Sequence, residues 1–275
     1  MIKQDKKTLV NFLLILVSVI FVFVVIALPV IVVIKEAFAG GVLQYLMNIS
    51  NAETIAAIKL TFFVAAVVVP MNTLFGVLAA WSITKFEFVG KSLLITIIEL
   101  PFSVSPVIAG LIYVISFGGN SVLGKWLISH DIHVIFATPG IIIATIFVTF
   151  PLVARELIPL MQAQGTHEEE AAILLGASGF QTFVKVTLPN IKWGLLHGIF
   201  LCNARAIGEF GAVSVVSGHI IGLTNTMPLH IENLYNEYNF VGAFAVASLL
   251  IALVFLTVII KRISENKTGK SSILI

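Results

Sequence analysis

The sequence contains few charged residues and almost no cysteine. Only 11% of its 275 residues are Asp, Glu, Lys or Arg, whereas 59% are hydrophobic, and the mean hydropathy is +1.08. One soluble globule of this length could not bury so much apolar surface. The single cysteine, Cys202, excludes an intramolecular disulfide and leaves the redox compartment undecided. The composition therefore predicts an integral membrane protein.

Short segments that alternate between hydrophobic and polar residues are also lacking, and this excludes a transmembrane β-barrel. The apolar residues instead form long runs, and about 20 such residues let a helix cross the bilayer. We therefore predict an all-α integral membrane protein with six transmembrane helices. Their approximate positions are residues 11–34, 54–84, 92–117, 139–159, 193–217 and 240–260.

Lysine and arginine are unevenly distributed between the two sides that six spans would create. The loops of one side hold only Lys35 and Lys125. Short loops rich in these residues stay in the cytoplasm, so both termini and the connection 160–192 are predicted to be cytoplasmic. The basic residues on the predicted cytoplasmic side are Lys3, Lys6, Lys7, Lys85, Lys91, Arg155, Lys185, Lys192, Lys261, Arg262, Lys267 and Lys270.

The largest cytoplasmic connection contains the stretch EEEAAILLGASGFQTFVKVTLP at residues 168–189. Thr166 and Glu169 match a Thr-x-x-Glu capping box, which predicts that a short helix begins near His167. Gly176 can adopt the left-handed conformation that is common just past a helix end. The first helix is therefore predicted to stop near this glycine.

A second short helix is predicted in the same connection. Ser178 and Gln181 repeat the capping signature, and Pro189 is predicted to close the unit. The two helices would form an elbow with a narrow face of alanine and glycine. Such an elbow is either a connector packed beneath its own membrane domain or a docking site, since small side chains let another protein's backbone approach closely.

The same stretch resembles the EAA signature, E-A-A-x3-G-x9-I-x-L-P, of permease subunits in bacterial ABC importers. The match runs from Glu170 through Gly176 to Pro189, and Val186 replaces the isoleucine of the signature. The resemblance implies the type I importer fold, in which the elbow is a coupling helix seated in a cleft of the ATP-hydrolysing subunit. The ATPase-coupling residues that it implies are Glu170, Ala171, Ala172, Gly176, Leu188 and Pro189.

The resemblance also implies a domain organisation and a location. Residues 1–53 would hold an N-terminal tail, the first transmembrane helix and a periplasmic connection. Residues 54–262 would form the ABC type I transmembrane domain, with the coupling elbow at 166–189, and residues 263–275 would form a cytoplasmic tail. Proteins of this kind are multi-pass proteins of the bacterial inner (cytoplasmic) membrane.

Three further stretches narrow the resemblance. They are LPFSVSPVIAGLIYV from Leu100, CNARAIGEFGAVSVVSGHI from Cys202 and TNTMPLHIENLYNEYNFVGAFAVASLL from Thr224. Together they are similar to W-type permeases of sulfate/thiosulfate importers. Molybdate permeases share the element Ala-Arg-Ala-x-Gly-Glu-Phe-Gly, so a molybdate/tungstate-type permease is the alternative. The stretch HIENLYNEY at 230–238 favours the sulfate system.

The family implies several partners for a chain that has no nucleotide site of its own. The partners are a homologous T-type permease, two copies of an ABC ATPase, a periplasmic sulfate/thiosulfate-binding protein, membrane lipid, and the transported sulfate or thiosulfate. Two Gly-Lys-Ser triplets, at Gly90 and Gly269, lack the first glycine of a phosphate-binding loop, because Lys85 and Ser264 occupy its positions. ATP and Mg²⁺ are therefore expected in the partner ATPase, and this chain is predicted to be non-catalytic, without a cofactor or metal.

Two opposite charges lie within the predicted fifth span, where ionisable residues are costly. Arg205 and Glu209 are four residues apart and share a helical face. They can form an internal ion pair, or Arg205 can tune a path for a divalent anion. The kinked segment 101–106 would either line that path or serve packing. The predicted pathway residues are Arg205, Glu209, Asn203, Ser214, Ser217, Ser103 and Ser105.

A secondary transporter that works without ATP is the alternative from another class. It would be expected to show inverted repeats and ionisable residues for ion coupling at the membrane midplane. The sequence contains no convincing internal repeat, and a secondary transporter leaves the cytoplasmic elbow unexplained.

Overall fold

The structure is a computed structural model that describes residues 2–266, including the side chains of residues 11–263. The regular structure of this part is helical, as the sequence predicts. Two π-helical turns, Phe23–Ala27 and Phe183–Thr187, join α1 to α2 and α10 to α11. The helices are α1 (Ile2–Val22), α2 (Leu28–Ala37), α3 (Gly41–Ser50), α4 (Ala52–Lys85), α5 (Lys91–Ser103), α6 (Pro106–Phe117), α7 (Val122–Ser129), α8 (Thr138–Gln164), α9 (His167–Leu174), α10 (Gly179–Thr182), α11 (Leu188–Ile207), α12 (Gly211–Val216), α13 (Met227–Asn236) and α14 (Phe240–Asn266).

Four helical segments among the described residues are long and apolar enough to cross a membrane. Helices α5 and α6 add a fifth if they count as one broken span, although they are bent by 109°. The predicted fifth span is divided, because the chain leaves the helix between Ile207 and Gly211. Six spans and cytoplasmic termini therefore stay predictions, and Lys267 and Lys270 of the tail lie outside the described residues. The four segments are Asn11–Ala37, Ala52–Lys85, Thr138–Gln164 and Phe240–Ile263.

The described chain divides into two compact units, of which the first holds residues 2–51 and 231–249. In this unit the rings of Phe38 and Tyr45 stack with their centroids 4.3 Å apart. The Ser248 hydroxyl donates a hydrogen bond of 3.3 Å to the Tyr45 hydroxyl. Tyr45 thereby buries its ring against an aromatic neighbour and gives its polar end a partner.

Of the described residues, the second unit holds 52–230 and 250–266, and α4, α8 and α11 form its central bundle. Glycines let these helices approach closely. A Cβ added at Gly76 of α4 would lie 2.8 Å from Val153 Cβ of α8, and one added at Gly198 of α11 would lie 3.2 Å from Val153 Cα. The buried cluster at this crossing comprises Val77, Ala80, Val153, Leu157, Met161, Ile191 and Cys202.

We expect the Gly76→Ala substitution to destabilise the protein by about 1–3 kcal/mol, as is typical of overpacking a filled core. The added methyl would meet Val153 Cβ at 2.8 Å and the Ala154 amide nitrogen at 3.2 Å, and the backbone has little room to move. Thermal unfolding of the purified protein in detergent measures the change. Gly179→Ala is the control, because nothing lies within 4 Å of its added Cβ. Equal melting temperatures for the two variants would contradict the expectation.

The segment between Pro101 and Pro106 breaks the third predicted span, as the sequence indicates. Helix α5 ends at Ser103, and Val104 is extended with φ −99° and ψ 132°. Pro106 then begins α6. A Cβ added at Gly211, the first residue of α12, would lie 3.0 Å from Pro106 Cβ. The break between α5 and α6 therefore adjoins the break between α11 and α12.

Candidate functional site

Three glutamates open the first elbow helix, α9, which begins at His167 as predicted. The predicted capping box is wrong, because Thr166 makes no side-chain cap bond and its hydroxyl donates to Glu170 Oε1 at 2.6 Å. The Glu169 carboxylate, which would have completed the box, lies 2.6 Å from Lys85 Nζ. A carboxylate is attracted more strongly by a full positive charge at this distance than by the dipole of a neutral backbone amide. The Glu169 carboxylate therefore binds Lys85 instead of the backbone amide of Thr166.

The end of α9 follows the prediction. The helix stops at Leu174, and Gly176 has φ +91°, a conformation that favours glycine. The Ala177 amide donates to the Ala172 carbonyl at 3.0 Å. The Gly176 amide donates to the Ile173 carbonyl at 2.9 Å. These two bonds form a Schellman motif, which satisfies the last carbonyls of the helix and turns the chain into the second half of the elbow.

The second elbow helix begins as predicted but does not end at the predicted place. The Ser178 amide donates to Gln181 Oε1 at 2.9 Å, and the Gln181 amide donates to Ser178 Oγ at 3.3 Å, which completes a capping box. Helix α10 then continues through the π-helical turn into α11, whose first turn contains Pro189. In the wide turn before Pro189 the Leu188 amide donates to the Phe183 carbonyl, and the chain stays helical through the proline. The prediction that Pro189 closes the unit is therefore wrong.

Large apolar side chains project from the turn between the two halves of the elbow. Leu174 and Leu175 are 87% and 89% exposed, and Phe180 is 77% exposed. We call these three residues, together with the shallow pocket beside them, the elbow face. Exposed apolar clusters of this kind are typical of a surface for a protein partner. The pocket is lined by Ala172, Leu175, Gly176, Ala177, Gln181, Thr182, Lys185 and Val186.

The six predicted coupling residues occupy different places in the structure. Leu188 packs against the buried cluster of α4, α8 and α11, so its contact is with its own chain. Pro189 is exposed at the start of α11. The other four lie on α9 or in the turn that follows it, and two of them line the pocket of the elbow face: Glu170, Ala171, Ala172 and Gly176.

Polar contacts also bind the start of the elbow to the long helices α8 and α11. The Asn190 side-chain amide donates to the Glu168 carboxylate, and the Gln164 side-chain amide donates to the Asn190 carbonyl at 3.0 Å. These partners lie 22 and 26 positions apart, so helical periodicity could not reveal them. One side of the elbow is thus packed against its own membrane domain, whereas the elbow face is open. The alternative of a packed connector describes the side that contacts the long helices, and the alternative of a docking site describes the elbow face.

An ion pair crosses the break between α11 and α12. Arg205 Nη1 lies 2.8 Å from Glu209 Oε2, and the side chain of Glu209 is 1% exposed whereas that of Arg205 is 41% exposed. Glu209 Oε1 also accepts a hydrogen bond of 2.9 Å from the Ala212 amide, one of the free donors at the start of α12. Glu209 thereby fixes the two helices to each other. This geometry corresponds to the internal ion pair that the spacing allows.

The other predicted pathway residues are divided between the helix breaks and a loop. Ser103 and Ser105 are exposed at the break between α5 and α6. The Ser214 hydroxyl donates to the Gly211 carbonyl at 2.9 Å within α12, and Asn203 is half-buried on α11. Ser217 is buried, and its hydroxyl donates to the Thr224 carbonyl at 2.7 Å. The structure thus brings most of these residues to two adjoining breaks and uses Ser217 to shape a turn.

The structure adds Arg155, which the sequence analysis counted only as a charge on the cytoplasmic side. Arg155 is exposed on α8, and its guanidinium carbon lies 5.0 Å from the ring centre of Phe102, beside the break between α5 and α6. An arginine over an aromatic face is a favourable arrangement. The available signal was a positive charge inside the predicted span 139–159, where ionisable residues are costly.

Two further titratable groups within the bundle pair with each other. Glu156 Oε1 of α8 lies 3.7 Å from His197 Nε2 of α11, which gives this histidine a polar neighbour. Among the described residues there is no group of three or more His, Cys, Asp or Glu side chains that could hold a metal ion.

Comparison with known proteins points to one family. Residues 72–270, more than half of the chain, match the family described as "Binding-protein-dependent transport system inner membrane component". The chain is 50% identical over 237 residues to the sulfate transport system permease protein CysW of Escherichia coli (strain K12), covering 86% of this chain and 81% of that protein. It is 46% identical over 268 residues to CysW of Synechocystis sp., covering 98% and 97%. It is 34% identical over 253 residues to CysT of E. coli, covering 92% and 91%.

Solved structures share the fold of the chain. A chain of a bacterial alginate ABC transporter, in complex with an alginate pentasaccharide-bound periplasmic protein, matches with a TM-score of 0.82 and covers 98% of this chain and 99% of its own. A bacterial ABC transporter involved in the import of alginate matches with a TM-score of 0.79. The sequence identities are 16% and 17%, so these similarities concern the fold alone.

Proposed function

This chain belongs to the family of binding-protein-dependent transport system inner membrane components, and on that premise we propose that it is a permease subunit of an ATP-driven sulfate/thiosulfate importer. The observation that carries the proposal is its 46% to 50% identity to sulfate permeases called CysW over most of the chain. Its identity to CysT is lower, at 34%, which favours the W-type role within the importer.

In this proposal the chain hydrolyses nothing itself, and a separate ATPase docks on the elbow face. The exposed apolar residues Leu174, Leu175 and Phe180 supply the contact, and Ala172 and Gly176 leave room for the partner's backbone. ATP with Mg²⁺ is bound by two copies of that ATPase. Their closure displaces the elbow, and the membrane helices then change from access on one side to access on the other.

The remaining partners and the topology also belong to the proposal. A homologous T-type permease forms the other half of the pathway, and a periplasmic binding protein delivers the anion. The chain crosses the inner membrane of a bacterial cell six times, with both termini in the cytoplasm. The distribution of lysine and arginine supports this orientation.

The anion would pass beside the two adjoining helix breaks. Broken helices leave backbone polar groups that suit a watery cavity, and Ser103 and Ser105 are exposed there. Arg205 and Arg155 bring positive charge to α11 and to the break between α5 and α6, respectively. Because the glutamate of the pair offsets Arg205, the anion would be attracted without being held tightly. Asn203, Glu209, Ser214 and Ser217 complete the proposed pathway set.

Uptake of labelled anions tests the proposed function. Cells that lack this chain are expected to lose uptake of sulfate and thiosulfate, and to regain it when the gene for the chain is restored. The same cells with a partner ATPase that cannot hydrolyse ATP provide the control, and they are expected to show no uptake. Rescue of molybdate uptake alone would favour the molybdate/tungstate-type permease. Uptake that persists with the inactive ATPase would instead favour a secondary transporter.

A further inference from the structure

A partly buried ion pair holds the start of the first elbow helix, α9. Lys85, the last residue of α4, places Nζ 2.6 Å from Glu169 Oε2 in the first turn of α9, and the two side chains are only 8% and 15% exposed. The same ammonium donates to the Gly165 carbonyl at 2.5 Å. The Thr187 hydroxyl donates to the other Glu169 oxygen at 2.7 Å. One carboxylate therefore connects α9 to α4 and to the π-helical turn that leads into α11.

The joint that this ion pair spans is built on a glycine. Helix α8 ends at Gln164 and α9 begins at His167. Between them Gly165 has φ +69° and ψ −158°, a conformation that is essentially restricted to glycine. Such a joint has few contacts of its own that would resist bending. Lys85 fixes this joint to the end of α4, because its ammonium contacts both the Gly165 carbonyl and the Glu169 carboxylate of α9.

We propose that Lys85, Glu169 and Thr187 form a coupling clamp, which makes α9 move together with α4, α8 and α11 when a partner displaces the elbow. The inference rests on the proposed function, since it assumes an ATPase that pushes on the elbow face. Charge-assisted hydrogen bonds are the strong ones, and buried pairs are screened little by salt. Without the clamp, part of the same push would bend the chain at Gly165, and less of the motion would reach α4 and α8. These are positioning residues, which touch neither the anion nor the nucleotide.

A second lysine–glutamate pair, between Glu87 in the connection after α4 and Lys91 at the start of α5, offers a matched control. Lys91 Nζ lies 2.7 Å from Glu87 Oε1, with the two side chains 26% and 90% exposed. The two residues are four positions apart in the sequence, so their contact is local to the connection between α4 and α5. An exposed pair of this kind contributes little, and it does not touch the elbow. Glu87→Gln therefore makes the same chemical change as Glu169→Gln without altering the clamp.

The experiment measures sulfate transported per ATP hydrolysed by the complete importer in proteoliposomes. Glu169→Gln is expected to lower this ratio by about tenfold, in keeping with loss of a hydrogen bond to a charged group, while the ATPase stays bound. Glu87→Gln is expected to leave the ratio within twofold of the wild type, as roughly expected for an exposed pair. Exchange of the charges, Lys85→Glu with Glu169→Lys, should restore part of the ratio. A merely structural defect would reduce the amount of assembled complex and not the ratio.

The outcomes separate the clamp from the proposed function. A wild-type complex that fails to bind the ATPase or to move sulfate would refute the proposed function before any variant is compared. An unchanged ratio for Glu169→Gln in a working complex would overturn the clamp alone. If Glu169→Gln does not assemble, Thr187→Val tests the clamp in its place. This variant keeps the ion pair and removes only the hydroxyl that donates to Glu169. A ratio equal to the wild type for Thr187→Val would then overturn the clamp, and a lowered ratio would support it.

Discussion

Replacing Leu174 and Leu175 by aspartate is expected to abolish ATP-driven sulfate uptake while the chain still inserts into the membrane. Both side chains lie on the elbow face and are 87% and 89% exposed, so they contribute little to packing within the chain. Burying each leucine against a partner contributes about 1.5–3 kcal/mol, and each aspartate would add a charge to the same contact. Because each 1.4 kcal/mol corresponds to about tenfold in affinity, ATPase binding should weaken by at least about 100-fold.

Two measurements and one control test this expectation. Co-purification of the ATPase with the tagged permease reports binding, and labelled sulfate uptake reports transport. Val89→Asp is the matched control, because Val89 is a fully exposed apolar residue on the connection between α4 and α5. It should retain both ATPase binding and transport. Normal ATPase binding by the double leucine variant would mean that the elbow face is not the docking surface.

Replacing Glu209 by alanine is expected to have the largest effect on stability. Its carboxylate, 1% exposed, pairs with Arg205 and accepts the Ala212 amide, so its removal leaves a cation and a backbone donor without their partner. Breaking a buried pair costs about 3–5 kcal/mol, and the lower end applies because Arg205 is 41% exposed. The melting temperature in detergent measures this loss. A melting temperature equal to that of the wild type would contradict the structural role of the pair.

A neutral version of the pair distinguishes its two roles. In the double variant Arg205→Met with Glu209→Gln, neither residue carries a charge, and the glutamine oxygen can still accept the Ala212 amide. Stability should therefore recover most of what Glu209→Ala loses, since removing both charges leaves none unpaired. If Arg205 serves only the ion pair, sulfate transport recovers as well. If Arg205 also attracts the anion, stability recovers and transport stays low.

Features of the elbow that depend on neighbouring residues could be predicted from the sequence. The turn at Gly176 follows from a glycine after a short helix, and the capping box of Ser178 and Gln181 follows from residue types three positions apart. Each of these signals acts within one turn of helix, so local chemistry is enough to determine it. The start of α9 at His167 was also predicted correctly, although the expected cap of Thr166 and Glu169 does not form.

Features that depend on distant partners could not be predicted in the same way. Glu169 has the spacing of a cap, but its carboxylate pairs with Lys85, 84 positions earlier in the chain. Pro189 has the appearance of a stop, but the wide π-helical turn before it lets the helix continue into the membrane bundle. The charges of Arg205 and Glu209 indicated a pair, whereas the break that this pair spans has no signal in hydropathy. Packing of the whole bundle decides these features.

Helix α10, the π-helical turn and α11 follow one another without a break. The second half of the elbow and α11 therefore form one continuous helical rod, which can transmit rotation along its axis. At about 1.5 Å per residue, the rod from Gly179 to Ile207 is about 40 Å long, longer than the hydrocarbon layer is thick. The Leu188 amide donates to the Phe183 carbonyl in the wide turn, which holds one residue more than an α-helical turn. Its conversion to α geometry would rotate everything beyond it by about 100°, the angle of one helical residue. A torque applied at the Gly179 end would thus turn the far end, where Arg205 lies, without crossing a loop.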